Sequence, residues 1–224
     1  MTNSESDSTE VAQHAKQRLI TYLATPQLGD AVAKFFDPAQ PFAGETFDSL
    51  GTNPRDRIGR DDLLAVTLLD VRWTPPAVRQ LLNDQAARVR KLLHKIDNKT
   101  EIGTPNASRQ LAAAGPLWVL LDALPGVGET RASKLLARKR PRLIPITDSI
   151  IVKAVGTRGK TWTTLNHCFQ DDVFRDKVRS LRPDNTERIS LLRIFDVAIW
   201  MLFSRSKAAE KARRETGVVP PGDA

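Results

Sequence analysis

The chain is short of sulfur, of aromatic side chains and of acid. Its 224 residues include one cysteine, two methionines, one tyrosine and three histidines, and aromatics make up 6%. A lone Cys168 excludes an internal disulfide framework and a cysteine-built metal site, and a reducing cytoplasm is the simplest setting for such a chain. His14 stands by itself on its helix, and His167 and Cys168, being neighbours, would point to different helix faces, which speaks against a Cys/His dyad. No metal-ligand spacing occurs, so neither a metal nor another cofactor is expected. Long apolar runs are missing too. The segment Ile189–Phe203 is apolar nearly all round, but its 15 residues contain Arg193 and Asp196. It is too short and too charged to span a membrane and reads as the central helix of a bundle, with Arg193 and Asp196, three apart, able to pair. Met1–Thr9 is Ser, Thr, Asp and Glu without an apolar stretch; neither a signal peptide nor an anchor is expected there, and disorder is.

Acid is the remaining deficit. Lysine and arginine number 34 against 26 aspartates and glutamates, for a net charge of +8 and a pI near 9.9. Such a balance favours polyanionic partners, an argument about encounter and not about fold. Hydrophobic residues at 41% are ample for a core.

What is present is helical periodicity. Val11, Ala15, Leu19 and Leu23 mark an amphipathic helix over 10–24, and a shorter one through Leu28, Val32, Phe35 and Phe36 stops at Asp37-Pro38. The irregular stretch 37–60 is pinned by Phe42, Phe47 and Leu50 and is the candidate subdomain boundary. Asp61 and Asp62 open a mostly aliphatic helix to Arg72, favourable to the helix dipole. Thr74-Pro75-Pro76 starts another, reaching about Lys95, whose outer face carries Arg79, Arg88, Arg90, Lys91 and Lys95. A short helix over 106–114 leads to Pro116. No alternating run convinces as a strand, so the expected fold is an all-helical bundle over 10–205, followed by a flexible basic tail over 206–224.

The segment 116–156 organises the rest. Pro116 suits a first helical position, and Leu117, Leu120, Leu121 and Leu124 follow at helical spacing. Then comes Leu124-Pro125-Gly126-Val127-Gly128, whose glycines permit backbone angles that turn peptide N–H groups outward at the next helix start. That helix carries Arg131, Lys134 and Arg138, with Lys139, Arg140 and Arg142 at its exit, against one acid, Glu129. Positive charge beside a polarised helix N-terminus suits a sequence-independent grip on a nucleic-acid backbone. A solvated basic face after an ordinary turn is the plainer alternative. Asp148 stands before a further helix, where a carboxylate caps the first turn and contributes about 1 kcal/mol.

These residues resemble a known family. Leu124–Gly128, Ala132, Pro145 and Asp148 are similar to the signature of the helix-hairpin-helix DNA glycosylase superfamily, base-excision enzymes whose Gly/Pro-rich loop ends in a catalytic aspartate. Asp148-Ser149-Ile150-Ile151-Val152-Lys153 is similar to that family's Asp-Thr-His-Val-x-Arg, and eighteen positions separate Thr130 from Asp148. Upstream, Asp62–Thr74 resembles the family's helix ending in a Ser-x-Gln-x-Thr turn, with Arg72 in place of a glutamine that enters the minor groove. Together these cover about a quarter of the chain. The rest of the chain, including Arg140–Pro145, also resembles uncharacterised actinobacterial proteins of unknown function.

The resemblance implies a helix-hairpin-helix module over 116–140 that holds DNA phosphates through Gly126, Val127, Gly128, Thr130, Arg131, Lys134 and Arg138, with Arg72 at the groove. It implies Asp148 as the essential carboxylate of a monofunctional base-excision enzyme, with Trp73 and Trp118 as candidate aromatic walls for an extruded base. Thr130 stands where bifunctional members carry a lysine, so lyase chemistry is not expected. The four-cysteine cluster of some members is absent, and Pro145-Ile146-Thr147-Asp148 is one residue longer than the family's Pro-Val-Asp. Two other classes remain open: a DNA-binding protein that keeps the hairpin without the pocket, and a helical interaction module in which the hairpin only packs. A DNA-binding member would be nucleoid-associated, and no membrane partner is expected.

Overall fold

The computed structural model describes residues 2–157, 159–184 and 186–222, with side chains from Glu10 onward, and these residues are helical with no strand among them. The chain begins with α1 (Thr2–Leu23) and α2 (Leu28–Phe36). It then crosses to a second group, α3 (Thr46–Ser49), α4 (Arg60–Thr67), α5 (Pro75–Arg79), α6 (Ala86–Leu93), α7 (Ala107–Asp122) and α8 (Gly128–Lys139). It returns with α9 (Ser149–Val155), α10 (Thr161–Gln170), α11 (Asp172–Arg179), α12 (Leu191–Phe203) and α13 (Lys207–Thr216).

Apolar burial follows that path. One cluster joins the first two helices to the last five around Phe169, Phe174 and Phe195, whose rings meet edge-on or tilted. The other is built by α3 to α8 around Leu81, Leu117, Leu121 and Leu135. Each fully buried side chain of this size contributes about 1.5–3 kcal/mol on leaving water. The loop after α2 crosses between the two: Phe42 stacks on Phe35 at 5.3 Å in the first cluster, Ala43 touches both, and Phe47 is buried in the second. The central helix α12 runs through the first cluster, with all but Leu191, Trp200 and Phe203 buried. Cys168 is buried there as well, and burial pushes its thiol up to about 12.

Several elements differ from the sequence expectation. Met1 lies outside the described residues, and from Thr2 the chain is already in α1, so the segment expected to be disordered continues the amphipathic helix. The helix expected to run unbroken to Lys95 contains a π-helical turn, Gln80–Asp84, between α5 and α6. Pro116 is not at a helix start but inside α7, joining the two helices expected on either side of it. The backbone bond that a proline forfeits falls at the carbonyl of Ala112; Ala112 and Pro116 are both exposed, so the loss is on the solvent side of the helix, and the buried stripe of Leu111, Ala114, Leu117 and Leu121 runs on unbroken. The expected flexible tail is α13, docked on the first cluster through Ala209, Ala212 and Val218. Ser206 caps it, Arg213 donates to the carbonyl of Met201 at 2.7 Å, and Glu215 pairs with Lys34 at 2.8 Å. Two alanines three apart were too small to stand out as an apolar face. Asp223 and Ala224, the end of that tail, lie outside the described residues.

Candidate functional site

The hairpin turn links α7 to α8 over Ala123–Val127, closed by the Val127 N–H on the carbonyl of Leu124 at 2.9 Å. Gly126 and Gly128 both lie in the left-handed region, at φ 76° and 65°, and both are exposed. Only at Gly126 is there also a close neighbour: an added Cβ would stand 2.5 Å from the Thr74 methyl. Thr74 is held there, since its hydroxyl donates to the Pro125 carbonyl at 2.8 Å and accepts the Ala77 N–H as the cap of α5. Arg131 Nε donates to the Arg72 carbonyl at 2.8 Å. The two segments that carried the family resemblance therefore lie against each other. Among the described residues no side chain caps the start of α8, so its first-turn N–H groups lack a side-chain acceptor.

The remaining candidates part ways along α8. Val127 is buried beneath the turn, Thr130 is half-buried, and Arg131 braces the turn through backbone carbonyls. Arg72 is exposed beside it. Lys134, one turn on, points away from the hairpin into a cavity, donating to the Leu69 carbonyl at 2.8 Å. Arg138 contradicts its assignment to phosphate. It is 1% exposed, and its guanidinium reaches Asp62 and the carbonyls of Phe47 and Leu50, with Nη2–O 2.5 Å at Leu50. Lys139 and Arg140, also buried, follow it inward: Lys139 binds Asp62 at 3.0 Å, Asn53 at 2.6 Å and the Pro54 carbonyl at 2.7 Å, and Arg140 the carbonyls of Leu93, Ile96 and Arg55. Burial lowers the Lys139 ammonium and the Asp62 carboxylate opposes it. The reason lies in distant partners: Asp62, read as a helix-dipole residue, is buried and pairs with Arg138 and Lys139 from across the fold, while carbonyls hold Arg140. Phosphate cannot reach these groups.

The cavity into which Lys134 points holds about 270 Å³ at the seam of the two clusters. Asp148 stands on it. The Asp148 carboxylate caps α9, accepting the N–H groups of Ile150 and Ile151 at 3.0 Å each. Behind it, Ser133 of α8 accepts the Thr147 N–H at 3.0 Å, and Trp162 donates to the Thr147 hydroxyl at 3.0 Å. The aspartate is thus fixed by its own helix and by the hairpin's second helix. Asp70, itself at φ 56°, and Asp196 bring two further carboxylates to the lining. Asp196 pairs with Arg193, as their spacing suggested, and Arg193 lies over the rings of Phe35 and Phe47 at 5.5 and 4.7 Å. Burial, opposed by Arg193 and reinforced by the Asp148 charge, raises Asp196 to about 6. Burial lowers Lys134, with Asp148 foremost in holding it up.

The aromatic wall is not the expected one. Trp73 donates to the Leu63 carbonyl at 2.9 Å, and Trp118 meets Trp162 edge-on at 5.1 Å, neither on this cavity. Phe35, Phe42 and Trp200 line it instead. Their sequence signal was indistinct, because a ring at helical spacing looks the same whether it faces a core or a cavity. Asp196 and Arg193 gave a better one: an ion pair inside an otherwise apolar helix. Among the described residues no cluster of side chains is suited to a metal, and no helix is long and apolar enough to cross a membrane.

The arrangement is that of an all-helical protein with a cleft between two apolar clusters and a helical hairpin at one side of it. The chain belongs to the family DUF6308, described as a family of unknown function, whose model matches residues 21–203. No curated protein and no solved structure matches it.

Proposed function

We propose that the protein binds DNA through the exposed hairpin turn and hydrolyses a base N-glycosidic bond at Asp148. The observation that carries this reading is the setting of Asp148: a carboxylate held by helix capping on an aromatic-walled cavity, with the lysine of the hairpin's own helix facing the same space. N-glycosidic cleavage leaves positive charge on the sugar as the base departs with the bonding electrons. A fixed anion beside the anomeric carbon stabilises that charge and orients the water that replaces the base. Phe42 and Trp200, both partly exposed, offer the flat apolar surfaces that an unstacked base requires, and Phe35 backs them. The hairpin supplies uncapped N–H groups and exposed glycines, and Arg72 adds a positive charge next to them.

The test is base release from a panel of base-damaged single strands and duplexes, with binding measured in parallel. Asp148→Asn keeps a capping side chain, so stability and DNA affinity hold while release falls by about 100-fold or more. Equal release by variant and wild type sinks the catalytic role of Asp148. DNA binding without release from any substrate leaves a DNA-binding protein, and the absence of salt-sensitive binding removes the nucleic-acid reading altogether.

A further inference from the structure

A second cavity of about 620 Å³ lies against the first. Arg18, Lys153 and Arg205 line it together with Tyr22, Phe203, Ser149, Ile150, Ala154 and Gly156, and among the described residues no carboxylate does. The two cavities share their wall along two stretches of chain. Asp148 faces one and Ser149 the other; Trp200 and Ser206 face the first, Phe203 and Arg205 the second.

The second cavity is a built surface. Arg18 is seated across the end of α9, its Nε and Nη2 donating to the carbonyls of Ala154 and Val155 at 3.1 and 2.6 Å. That seat depends on Gly156, at φ 70°, where an added Cβ would come 2.2 Å from Arg18 Nη2. Tyr22 and Phe203 meet edge-on at 4.9 Å and give the groove an aromatic side. Lys153 and Arg205 are exposed at its rim. A basic groove with aromatic faces and no acid is the lining that a sugar-phosphate chain with unstacked bases selects.

We infer that this groove seats the phosphodiester chain flanking a nucleotide held in the Asp148 cavity, so that the site takes single-stranded or locally opened polynucleotide and excludes the free nucleoside. The inference rests on the reading of the Asp148 cavity given above. The groove is on the far side of Asp148–Ser149 from that cavity, so the chain flanking an extruded nucleotide would pass Ser149 toward the Arg205 and Lys153 rim.

The test is fluorescence anisotropy with labelled oligothymidylates of about four to twelve nucleotides over a salt series. Proteins compared are the wild type, Lys153→Glu with Arg205→Glu, the milder Arg205→Gln, and Asp148→Asn. Thermal melting of each variant is measured alongside; Arg205 is exposed, so Arg205→Gln should melt as the wild type does and serves should the double variant not fold. Wild-type affinity should rise with oligonucleotide length. The double reversal should weaken the longer oligonucleotides about tenfold and lower the salt slope by about 0.7 for each phosphate no longer neutralised. Unchanged affinity and slope in both rim variants would overturn the inference, as would inorganic tripolyphosphate competing as well as the twelve-nucleotide probe. Asp148→Asn separates the two readings: loss of catalysis bears on Asp148, whereas loss of length-dependent binding in the rim variants alone bears on the groove.

Discussion

The two ends of α8 share a composition and have opposite fates. At the hairpin end, Arg131 and Lys134 direct their hydrogen bonds to the backbone of residues 69–72 and 127, beside exposed glycines and a helix start with no side-chain cap. At the other end, Arg138, Lys139 and Arg140 are buried around Asp62 and a ring of carbonyls drawn from residues 47–55 and 93–96. Consecutive cations in sequence look like one basic surface. Whether they form one is decided by an acid many positions away, because a buried cation needs a partner and hydrogen bonds and an exposed one needs neither.

The largest expected effect breaks the buried end. Asp62→Ala leaves two buried cations without their carboxylate and should cost about 3–5 kcal/mol in urea unfolding; a cost below that of an ordinary surface substitution would mean water reaches Arg138 and Lys139. Next comes the turn. Gly126→Ala must accept both a left-handed backbone and the Thr74 methyl, whereas Gly128→Ala has open space and meets only the backbone term. About 1–2 kcal/mol is expected at Gly128 and more at Gly126, with DNA affinity falling in step at Gly126. Equal costs at the two glycines would show that Thr74 simply yields.

A smaller effect concerns the middle of the comparison, where Asp196 faces Arg193 on its own helix, Lys134 of α8 and Asp148 at the start of α9. Its folded pKa of about 6 lies above the ordinary 3.8, so the native state holds this proton more tightly than the unfolded chain. Its contribution to stability is complete below the lower value and is lost as pH rises through the higher one. Wild type should therefore lose more stability between about pH 4 and 6 than Asp196→Asn does, as read by denaturation at each pH; parallel profiles would exclude Asp196 as the titrating group. The smallest effect is at the exposed end. Arg72→Gln should leave stability unchanged, weaken duplex binding a few-fold and lower the salt slope by about 0.9, the value for one phosphate. No change would remove Arg72 from the interface.

The helical class was legible because apolar spacing survives any placement of the helices. The stripe of α2, the start of α5 at Thr74-Pro75-Pro76 and the apolar girth of α12 each followed from residues within a few positions of one another. At the site, the cap at Asp148 and the Arg193–Asp196 pair were legible for the same reason. What the sequence concealed depends on distant partners. Asp62 draws Arg138 inward, Ser133 fastens Thr147, and Phe42 crosses from a loop to wall a cavity with Trp200. The docking of α13 was hidden for another reason: its contact surface is alanine, which periodicity weighs lightly.

Cys168 sits at zero exposure in the cluster shared by the first and last helices, and its thiol, pushed up to about 12, carries almost no thiolate at neutral pH. As the chain's sole sulfhydryl it is a clock for the opening of that cluster. Its labelling by a thiol reagent is gated by the frequency with which α10 parts from its neighbours, so a ligand that tightens the cleft should slow the labelling without touching the sulfur.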